Sequence, residues 1–343
     1  MNILITGGAG FIGVNAALRF LEKGWSVTIF DNLSRRGTDL NVRTLNARYA
    51  GKYTFVKGDV RTDQEVLKKL CDGCDVVLHL AAQVAVTTSV TNPREDFEIN
   101  ALGTFNVLEA VRLSSRHPAL LYASTNKVYG GLEHLAVREE GARYAFSTRT
   151  GGVSESEPLD FHSPYGCSKG AADQYVRDYA RLYGLKTVVF RQSCIYGPQQ
   201  FGVEDQGWVA WFLIAAMLGR PVTIYGNGKQ VRDLLFIDDL IDCYEAAIAK
   251  IDDIAGSIYN LGGGPANTLS LREFLELIEK RLSLSLKSTA GDVRPGDQPI
   301  FISDNSKATK ELGWAPSVSV MEGIDRLHEW LKEHREEIAE FYR

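Results

Sequence analysis

The chain has 343 residues, of which 45% are hydrophobic and 24% charged, and its formal net charge is −5. This composition is typical of a globular protein and excludes disordered, collagen-like and coiled-coil folds. The basic residues form no long run, so nucleic-acid binding, which needs clustered Lys and Arg, is not predicted. No apolar stretch reaches the roughly 18 residues needed to cross a membrane, and the chain enters an apolar run at once. We therefore expect a cytoplasmic protein without a membrane segment.

The first half of the chain alternates short apolar runs with helical patterns. Continuous apolar strands that alternate with helices indicate a parallel sheet covered on both faces. The sequence therefore predicts a doubly wound α/β fold, with a parallel-sheet (Rossmann) domain over residues 1–190. The strands are expected near 3–5, 27–30, 53–56, 76–80, 120–123 and 187–190, and the helices from about 11 and over 97–115 and 166–183.

Glycine and proline become frequent after about residue 190, and the pattern changes. We expect residues 191–343 to form mainly a smaller α+β substrate domain over the C-terminal edge of the sheet, where ligands of open α/β sheets bind. A return of residues 233–258 to the first domain is also expected. The connection 131–163 is unusually long, which favours a pocket wall or lid. Further helices are predicted near 208–218, 239–249, 270–282 and 321–336.

Glycine spacing after the first predicted strand indicates a dinucleotide site. Gly7, Gly10 and Gly13 form a Gly-x-x-Gly-x-x-Gly pattern that leads into the first helix. Small residues let the backbone approach a pyrophosphate, whose charge is met by N–H groups at the helix start. A tight turn alone would also need glycine. The acidic Asp31 at the end of the second strand favours the dinucleotide.

The expected cofactor is NAD. Asp31 can accept hydrogen bonds from a ribose diol and would repel a 2′-phosphate, whereas the nearby Arg35 and Arg36 work against this preference for NAD over NADP. Asp59, after the third strand, is placed to meet the adenine. The other residues expected here follow the ends of the first four strands: Phe11, Ile12, Asn32, Val60, Leu80, Ala81, Ala82 and Gln83.

Tyr165 and Lys169 are the candidate catalytic pair. At spacing i, i+4 they share one face of a predicted helix. An ammonium at ~5 Å and an effective dielectric of ~20 favours the phenolate by about 3 kcal/mol, which lowers the pKa of Tyr165 by roughly 2 units. Such a tyrosine can act as a base near neutral pH. Thr125 follows Ser124 at the end of a predicted strand and would hydrogen-bond the same substrate hydroxyl.

Together these features resemble the extended short-chain dehydrogenase/reductase family, whose members act on nucleotide-sugars. The resemblance implies that Asn100 and Ser124 contact NAD, as do Tyr165 and Lys169 of the catalytic pair themselves. It rests on the glycine pattern and on Asn100, Ser124-Thr125, Tyr165, Lys169 and Leu312-Gly313-Trp314-x-Pro316.

Three longer segments narrow this resemblance to epimerisation of a CDP-linked hexose at C2. In the implied reaction, Tyr165 as phenolate takes the proton of the reacting hydroxyl while NAD accepts the hydride of the same carbon, and the 2-keto sugar turns before the hydride returns. The resemblance also implies that Arg232 and Arg294 bind the diphosphate, whose oxygens match the planar guanidinium. The segments are Ser124 to Gly130, His162 to Lys169 and Phe201 to Trp208, and the implied substrate contacts are Thr125, Asn126, Gln206, Arg232 and Arg294.

Departures from relatives bear on the reaction. Related 4,6-dehydratases carry Asp-Glu where this chain has Asn126 and Lys127, so the carboxyls that drive loss of water are missing and dehydration is disfavoured. Cys194 stands where related 4-epimerases usually carry a substrate-contacting Asn, so that sugar contact is not carried over. Two alternatives stay open, namely the same chemistry at C4 of a UDP-hexose and a non-catalytic dinucleotide-binding regulator.

Oligomeric state and metal content complete the expectations. Related enzymes pair the helices near 97–115 and 166–183 across a dimer interface, which implies a homodimer or a higher homo-oligomer. Cys71 and Cys74 form a lone C-x-x-C without a second pair at zinc-site spacing, so no metal site is predicted.

Overall fold

The structure, a computed structural model, describes residues 1–149, 151–294 and 297–343. Its first half contains the strands and helices expected from the apolar runs, together with further helices and a hairpin. The strands are β1 (Asn2–Thr6), β2 (Ser26–Asp31), β3 (Thr54–Lys57), β4 (Val76–His79), β5 (Ala119–Thr125), β6 (Val137–Glu140), β7 (Arg143–Phe146) and β8 (Thr187–Gln192). The helices are α1 (Phe11–Glu22), α2 (Thr38–Tyr49), α3 (Gln64–Asp72), α4 (Val86–Thr91), α5 (Pro93–Phe97), α6 (Gly103–Leu113) and α7 (Ser163–Tyr183).

The second half mixes short strands with helices. The four helices expected near 208–218, 239–249, 270–282 and 321–336 are all present, and they are α8, α9, α11 and α13 in the list that ends this paragraph. The strands are β9 (Ile195–Tyr196), β10 (Val222–Tyr225), β11 (Val231–Asp233), β12 (Leu235–Phe236), β13 (Ser257–Leu261), β14 (Thr268–Ser270), β15 (Ser288–Gly291) and β16 (Ile300–Phe301). The helices are α8 (Trp208–Met217), α9 (Ile237–Ala249), α10 (Ile251–Ile254), α11 (Leu271–Leu282), α12 (Ser306–Leu312), α13 (Val320–Glu333) and α14 (Arg335–Phe341).

Seven parallel strands form the central sheet, in the order β13-β8-β5-β4-β1-β2-β3. This confirms the doubly wound α/β fold. The chain leaves β1 towards β2 and β3 and then returns to β4 on the other side, so the loops after β1 and β4 diverge. Such a switch point opens a crevice at the carboxyl ends of the strands. The chain comes back to the sheet through α9 and β13, slightly beyond the segment 233–258 expected to return.

Alternating side chains of the strands bury two apolar layers. Ile3 and Ile5 pack with Phe20 of α1 on one face, whereas Leu4 packs with Val107 of α6 on the other. Burying an aliphatic side chain of this size contributes about 2 kcal/mol, so the two layers fix the strands and hold their carboxyl ends in register. Within the described residues, no helix combines the length and apolar character required to span a bilayer.

The connection 131–163 does not form the wall or lid expected from its length. Its hairpin, β6 and β7, packs on the second half of the chain, where Arg143 donates two hydrogen bonds to the Glu273 carboxylate at 2.7 and 2.6 Å. Phe146 is buried in an apolar cluster with Phe301. None of the described residues of this connection lines the cavity presented below. The expectation is wrong because the apolar side chains of the segment find a core of their own.

Candidate active site

A cavity of about 820 Å³ opens where the sheet strands end. The loops that follow β1, β2, β3 and β4 build one wall, which we call the cofactor side. Lining residues from 192–297 build the opposite wall, which we call the substrate side. Thr125, Tyr165 and Lys169 line the cavity between the two sides, so the structure brings the expected catalytic residues together at the end of β5 and the start of α7.

The glycine loop on the cofactor side has room for a pyrophosphate. Gly7 has φ +70°, and a Cβ there would lie 2.6 Å from the Ala81 nitrogen. A Cβ at Gly13 would lie 2.4 Å from the Gly7 oxygen. Gly10 precedes α1, whose start no side chain caps, and it lines the cavity. Uncapped N–H groups at a helix start suit an anion, so these residues fit the diphosphate of a dinucleotide.

Asp31 presents a fixed carboxylate at the end of β2. One oxygen accepts a hydrogen bond from the Ala9 N–H at 3.0 Å and the other from the Leu33 N–H at 2.8 Å. The side chain lines the cavity and is buried, which raises the pKa of Asp31 while these two N–H donors lower it. A carboxylate held in this way fits a ribose diol, which donates hydrogen bonds, better than a 2′-phosphate, which is anionic.

The two arginines that follow Asp31 are engaged elsewhere. Arg35 donates a hydrogen bond to the Gln206 side chain, across the cavity mouth from the substrate side. Arg36 donates to the Phe341 carbonyl, and its guanidinium lies 4.5 Å from the centre of the Phe341 ring. These contacts remove the main objection to NAD. They also show that Gln206, expected to bind substrate, bridges the two sides of the cavity.

Asp59 lies on the cofactor side as a fully ionised group. Hydrogen bonds from Arg61 and from Asn32 lower the pKa of Asp59 to about 2, against a smaller effect of burial. The Arg61 side chain donates to it at 3.0 and 2.7 Å, and the Asn32 amide donates at 3.0 Å. Six further expected residues line the same wall, namely Phe11, Ile12, Val60, Leu80, Ala81 and Ala82.

Gln83 and Asn100 do not line the cavity, in contrast to the expected cofactor contact. The Asn100 side chain accepts from the Gln83 N–H at 2.9 Å and donates to Asp96 at 3.1 Å and to Ser168 at 3.2 Å. Asn100 therefore ties the loop after β4 to α7 from behind the wall. The sequence could not reveal this because the local motif is the same whether the amide faces a ligand or the protein.

Tyr165 and Lys169 are both buried, and burial dominates their ionisation. Burial raises the pKa of Tyr165 to about 12, although a hydrogen bond with Thr125 lowers it. Burial lowers the pKa of Lys169 to about 7, whereas the carboxylates of Asp173 and Asp96 raise it. The pKa of Tyr165 is thus raised and not lowered, because the expectation counted the attraction of the Lys169 ammonium but not the cost of burying the phenolate.

The Lys169 ammonium is fixed by the protein. It donates to the Ala123 carbonyl at 2.6 Å and lies 4.3 Å from the centre of the Tyr122 ring. Both contacts favour the charged form of a buried lysine. They place the cation at the end of β5, and Lys169 follows the candidate base Tyr165 by one turn of α7.

A buried ion pair that the sequence reasoning missed lies behind the catalytic residues. Asp173 accepts two hydrogen bonds from Arg191, at 2.9 and 3.0 Å, and one from Ser124 at 2.7 Å. Arg191 also donates to the Tyr129 hydroxyl at 2.9 Å. Breaking such a pair costs about 3–5 kcal/mol, so it holds β5, α7 and β8 together. The available signals were an acidic residue one turn after Lys169 and an arginine in an apolar strand.

On the substrate side, two arginines face the cavity and are held by carboxylates. Arg232 donates to Asp297 at 2.5 Å. Arg294 lies 3.0 Å from Asp205, and its guanidinium is 3.9 Å from the centre of the Tyr225 ring. All five side chains line the cavity. Asp205 lies in the segment Phe201 to Trp208 and Asp297 lies in the motif around Arg294, but neither was given a role, and Tyr225 lies in no motif.

The end of β5 completes the site. The Asn126 amide donates to Gln298 at 3.0 Å, and Gln298 in turn donates to the Gly130 carbonyl at 2.5 Å. Asn126 and Lys127 line the cavity, so an amide and an ammonium stand in the wall beside Thr125. Cys194 also lines it, and burial raises the pKa of its thiol.

The sequence and the fold are similar to those of known enzymes that act on nucleotide-sugars. Residues 3–262 match the model of the NAD dependent epimerase/dehydratase family. CDP-paratose 2-epimerase from Salmonella typhi is 46% identical over 339 residues, which cover 96% of this chain and 99% of that protein. A dTDP-glucose 4,6-dehydratase structure from Streptomyces venezuelae with NAD bound has a TM-score of 0.85 and 28% identity, covering 99% of this chain and 100% of that one. For UDP-glucose 4-epimerase from Thermotoga maritima with UDP-glucose, the TM-score is 0.82, the identity 29%, and the coverage 98% and 100%.

Proposed function

The chain belongs to the NAD dependent epimerase/dehydratase family, and from this premise we propose that it epimerises a CDP-linked 3,6-dideoxyhexose at C2, interconverting the paratose and tyvelose forms. Family membership confirms an enzyme of nucleotide-sugar chemistry with NAD as cofactor, and it sets aside the alternative of a non-catalytic regulator. The chemistry that NAD supplies when bound is reversible hydride transfer.

The residues at positions 126 and 127 of the cavity wall favour epimerisation over dehydration. Loss of water needs an acid and a base next to the oxidised carbon. Positions 126 and 127 instead hold an amide and an ammonium, both facing the cavity. Neither group supplies the pair of carboxyls that elimination uses, whereas an epimerase needs only one hydroxyl-directed base. Tyr165 is that base.

The protein's own residues handle one proton. The Tyr165 oxygen accepts it from the reacting hydroxyl and later returns it, while Thr125, hydrogen-bonded with Tyr165, also binds the substrate oxygen. Lys169 supports the phenolate with its positive charge. Because Tyr165 and Lys169 are buried, the proton has little contact with water, and the electrostatic effect of each group is large.

The substrate side holds the nucleotide while the sugar turns. Arg232 and Arg294 line a cavity of about 820 Å³, which has room for a hexose to present either face to the cofactor side. Charge-assisted hydrogen bonds to a diphosphate are strong enough to anchor one end of the substrate throughout. Support for cytidine and for C2 comes from the 46% identity to CDP-paratose 2-epimerase over nearly the whole chain.

The deciding experiment is proton NMR of the enzyme with CDP-paratose in D₂O. Oxidation and return of the same hydrogen predict inversion at C2 without uptake of deuterium, because that hydrogen never exchanges with solvent. Deuterium at C2 would overturn the redox mechanism. No reaction of CDP-paratose together with turnover of UDP-glucose would establish the alternative, a 4-epimerase.

Cofactor balance gives an independent check. Each turnover returns the hydride, so the absorbance band of reduced nicotinamide should stay flat in the steady state. Accumulation of NADH in step with product would contradict epimerisation and indicate a dehydrogenase. A protein boiled after purification should release NAD if the cofactor stays bound between turnovers.

We also propose that two copies of the chain pair through α6 and α7. Both helices expose apolar side chains, and the rings of Phe105 and Tyr175 meet across them at 5.9 Å. Leu113, Leu182 and Tyr183 are more than half exposed on the same helices. Light scattering at micromolar concentration should give a dimer mass, and Leu182→Glu should shift it towards the monomer. A monomer mass for the unaltered protein would contradict the proposal.

A further inference from the structure

Lys127 is a cation in the cavity wall to which the sequence reasoning gave no positive role. It follows Thr125 by two residues, in the short 3₁₀ turn Asn126–Tyr129 at the end of β5. Its side chain lines the cavity and is 21% exposed. Thr125 caps the turn that contains this lysine. Whatever Lys127 binds is therefore held close to the reacting hydroxyl.

Lys127 and Arg232 meet at a single carboxylate. The Lys127 ammonium lies 3.8 Å from an Asp297 oxygen, and the same oxygen accepts the hydrogen bond from Arg232. This triad therefore carries a surplus of positive charge. Burial and the Arg232 charge lower the pKa of Lys127 to about 8, while Asp297 raises it. A concave site with such a surplus attracts an anionic ligand, which relieves the repulsion between the two cations.

We propose that Lys127 binds the phosphate attached to the anomeric carbon of the sugar and so positions C2 at Tyr165. The proposal deepens the function proposed above and rests on it for the identity of the reacting carbon. Arg232 reaches the cavity from β11, and Thr125 and Tyr165 reach it from β5 and α7. Lys127 shares the Asp297 carboxylate with Arg232 and lies in the turn that Thr125 caps. It therefore joins the diphosphate site to the catalytic site.

The chemistry of a pyranose explains why this cation matters for the reacting carbon. C2 is bonded directly to the anomeric carbon that carries the phosphate, whereas C4 lies across the ring. A phosphate held near the end of β5 therefore brings the C2 hydroxyl towards Thr125 and Tyr165. To present C4 instead, the phosphate would have to move away by about the width of the ring. A cation next to Thr125 opposes that movement.

Nucleotide affinities test the phosphate contact. The anomeric phosphate is the β-phosphate of CDP, and CMP lacks it. In calorimetry on the NAD-loaded protein, Lys127→Met should weaken CDP about 10–100-fold and CMP less than twofold, because one charge-assisted contact is lost. Lys229→Met is the matched control, since Lys229 pairs with Glu139 at 2.5 Å outside the cavity lining. Equal losses for CDP and CMP would overturn the proposal.

The same measurement with UDP and UMP separates this proposal from the proposed function. If the enzyme prefers uridine, the CDP assignment fails while the diphosphate-to-monophosphate ratio still falls in Lys127→Met. Lys127→Arg keeps the charge and should restore most of the lost diphosphate affinity. Retained NAD and an unchanged melting temperature verify folding, and a Lys127→Arg protein as weak as Lys127→Met would count against a charge contact.

Kinetics with CDP-paratose test the positioning. In Lys127→Met, KM should rise by the factor found for CDP, and kcat should fall about tenfold because the C2 hydroxyl is no longer aligned. Lys229→Met should leave both constants within twofold of those of the unaltered enzyme. A raised KM with unchanged kcat would overturn the positioning role, and unchanged constants would overturn the whole proposal.

Discussion

The two sides of the cavity are built in different ways. On the cofactor side, the polar contacts of Asp31 and Asp59 span 2 to 27 residues of the chain. On the substrate side, the contacts join more distant segments, with Arg232 bound to Asp297, 65 residues away, and Asn126 bound to Gln298, 172 residues away. The first wall is fixed by its own loops, whereas the second exists only once the whole chain has folded.

The two sides also differ in charge. The carboxylate of Asp31 on the cofactor side is satisfied by backbone N–H groups, and the glycine loop offers an uncapped helix start in place of basic side chains. The substrate side pairs Arg232 and Arg294 with carboxylates that a diphosphate can replace. A fixed wall suits a cofactor that stays, and exchangeable ion pairs suit a substrate that comes and goes.

The largest effect should come from the group between the two sides. Tyr165→Phe removes the hydroxyl that carries the proton, and we expect kcat to fall about 10³-fold. NAD content and CDP affinity should stay within threefold, because neither wall changes. Tyr53→Phe is the control, since Tyr53 lies outside the cavity lining and its hydroxyl makes an exposed hydrogen bond to Asn46. A loss of less than tenfold would show that another group takes the proton.

The contrast between the walls explains how far sequence reasoning reached. The parallel sheet and the glycine loop are encoded by local periodicity and spacing, so the fold and most of the cofactor side could be predicted. Asp297 and Asp205 could not, because an acidic residue in a loop gives no sign of its distant arginine. The contact of Asn100 with the cofactor stays a prediction, because its amide binds Gln83, Asp96 and Ser168 and a motif names a residue but not the direction of its side chain.

The ionisation of Tyr165 and Lys169 was the other property that the sequence could not predict. The expected effect of Lys169 on Tyr165 was derived from charge attraction alone, yet burial raises the pKa of the phenol and lowers the pKa of the ammonium. The burial of Tyr165 and Lys169 depends on which elements pack against α7. The i, i+4 spacing of the two residues does not predict that packing. The role of the segment 131–163 was missed for the same reason, since its core partner Phe301 is remote in the chain.

The next largest effect should be on the preference for NAD over NADP, which a substitution at Asp31 tests. We expect the protein to prefer NAD over NADP at least tenfold, and Asp31→Asn should reduce this preference about 30-fold. The reason is that the amide no longer repels a 2′-phosphate, while one of its atoms can no longer accept from the backbone. Titration with both cofactors measures the ratio. Asp39→Asn, at a side chain 63% exposed, is the control, and an unchanged ratio would place discrimination elsewhere.

A pH titration should separate the two walls by about tenfold. Lys127 binds a phosphate as its ammonium, and its pKa of about 8 is lowered by burial and Arg232 and raised by Asp297 and Cys194. As the pH rises through this value the proton is lost, so CDP affinity should fall about tenfold between pH 7 and 9.5. The Asp59 carboxylate, whose pKa is about 2, stays ionised throughout, and Lys169, whose pKa is about 7, loses its proton at the start of this range. NAD affinity should therefore change only near pH 7 and stay flat where CDP affinity falls. A parallel fall for both ligands would contradict the difference between the walls.

Salt should give the smallest effect and the most direct comparison of charge. Screening shortens the range of charge interactions from ~14 Å at 0.05 M to ~4 Å at 0.5 M salt. The substrate side attracts its ligand through Arg232, Arg294 and Lys127, so CDP affinity should fall about fivefold over this range. The cofactor side acts at contact distance through N–H groups, so NAD affinity should change less than twofold. Calorimetry on one preparation gives both values, and Lys127→Met should show a shallower salt dependence for CDP alone. If NAD proved as sensitive to salt as CDP, basic side chains would have to hold its pyrophosphate, and the distinction between a backbone-built wall and a charge-built wall would fail.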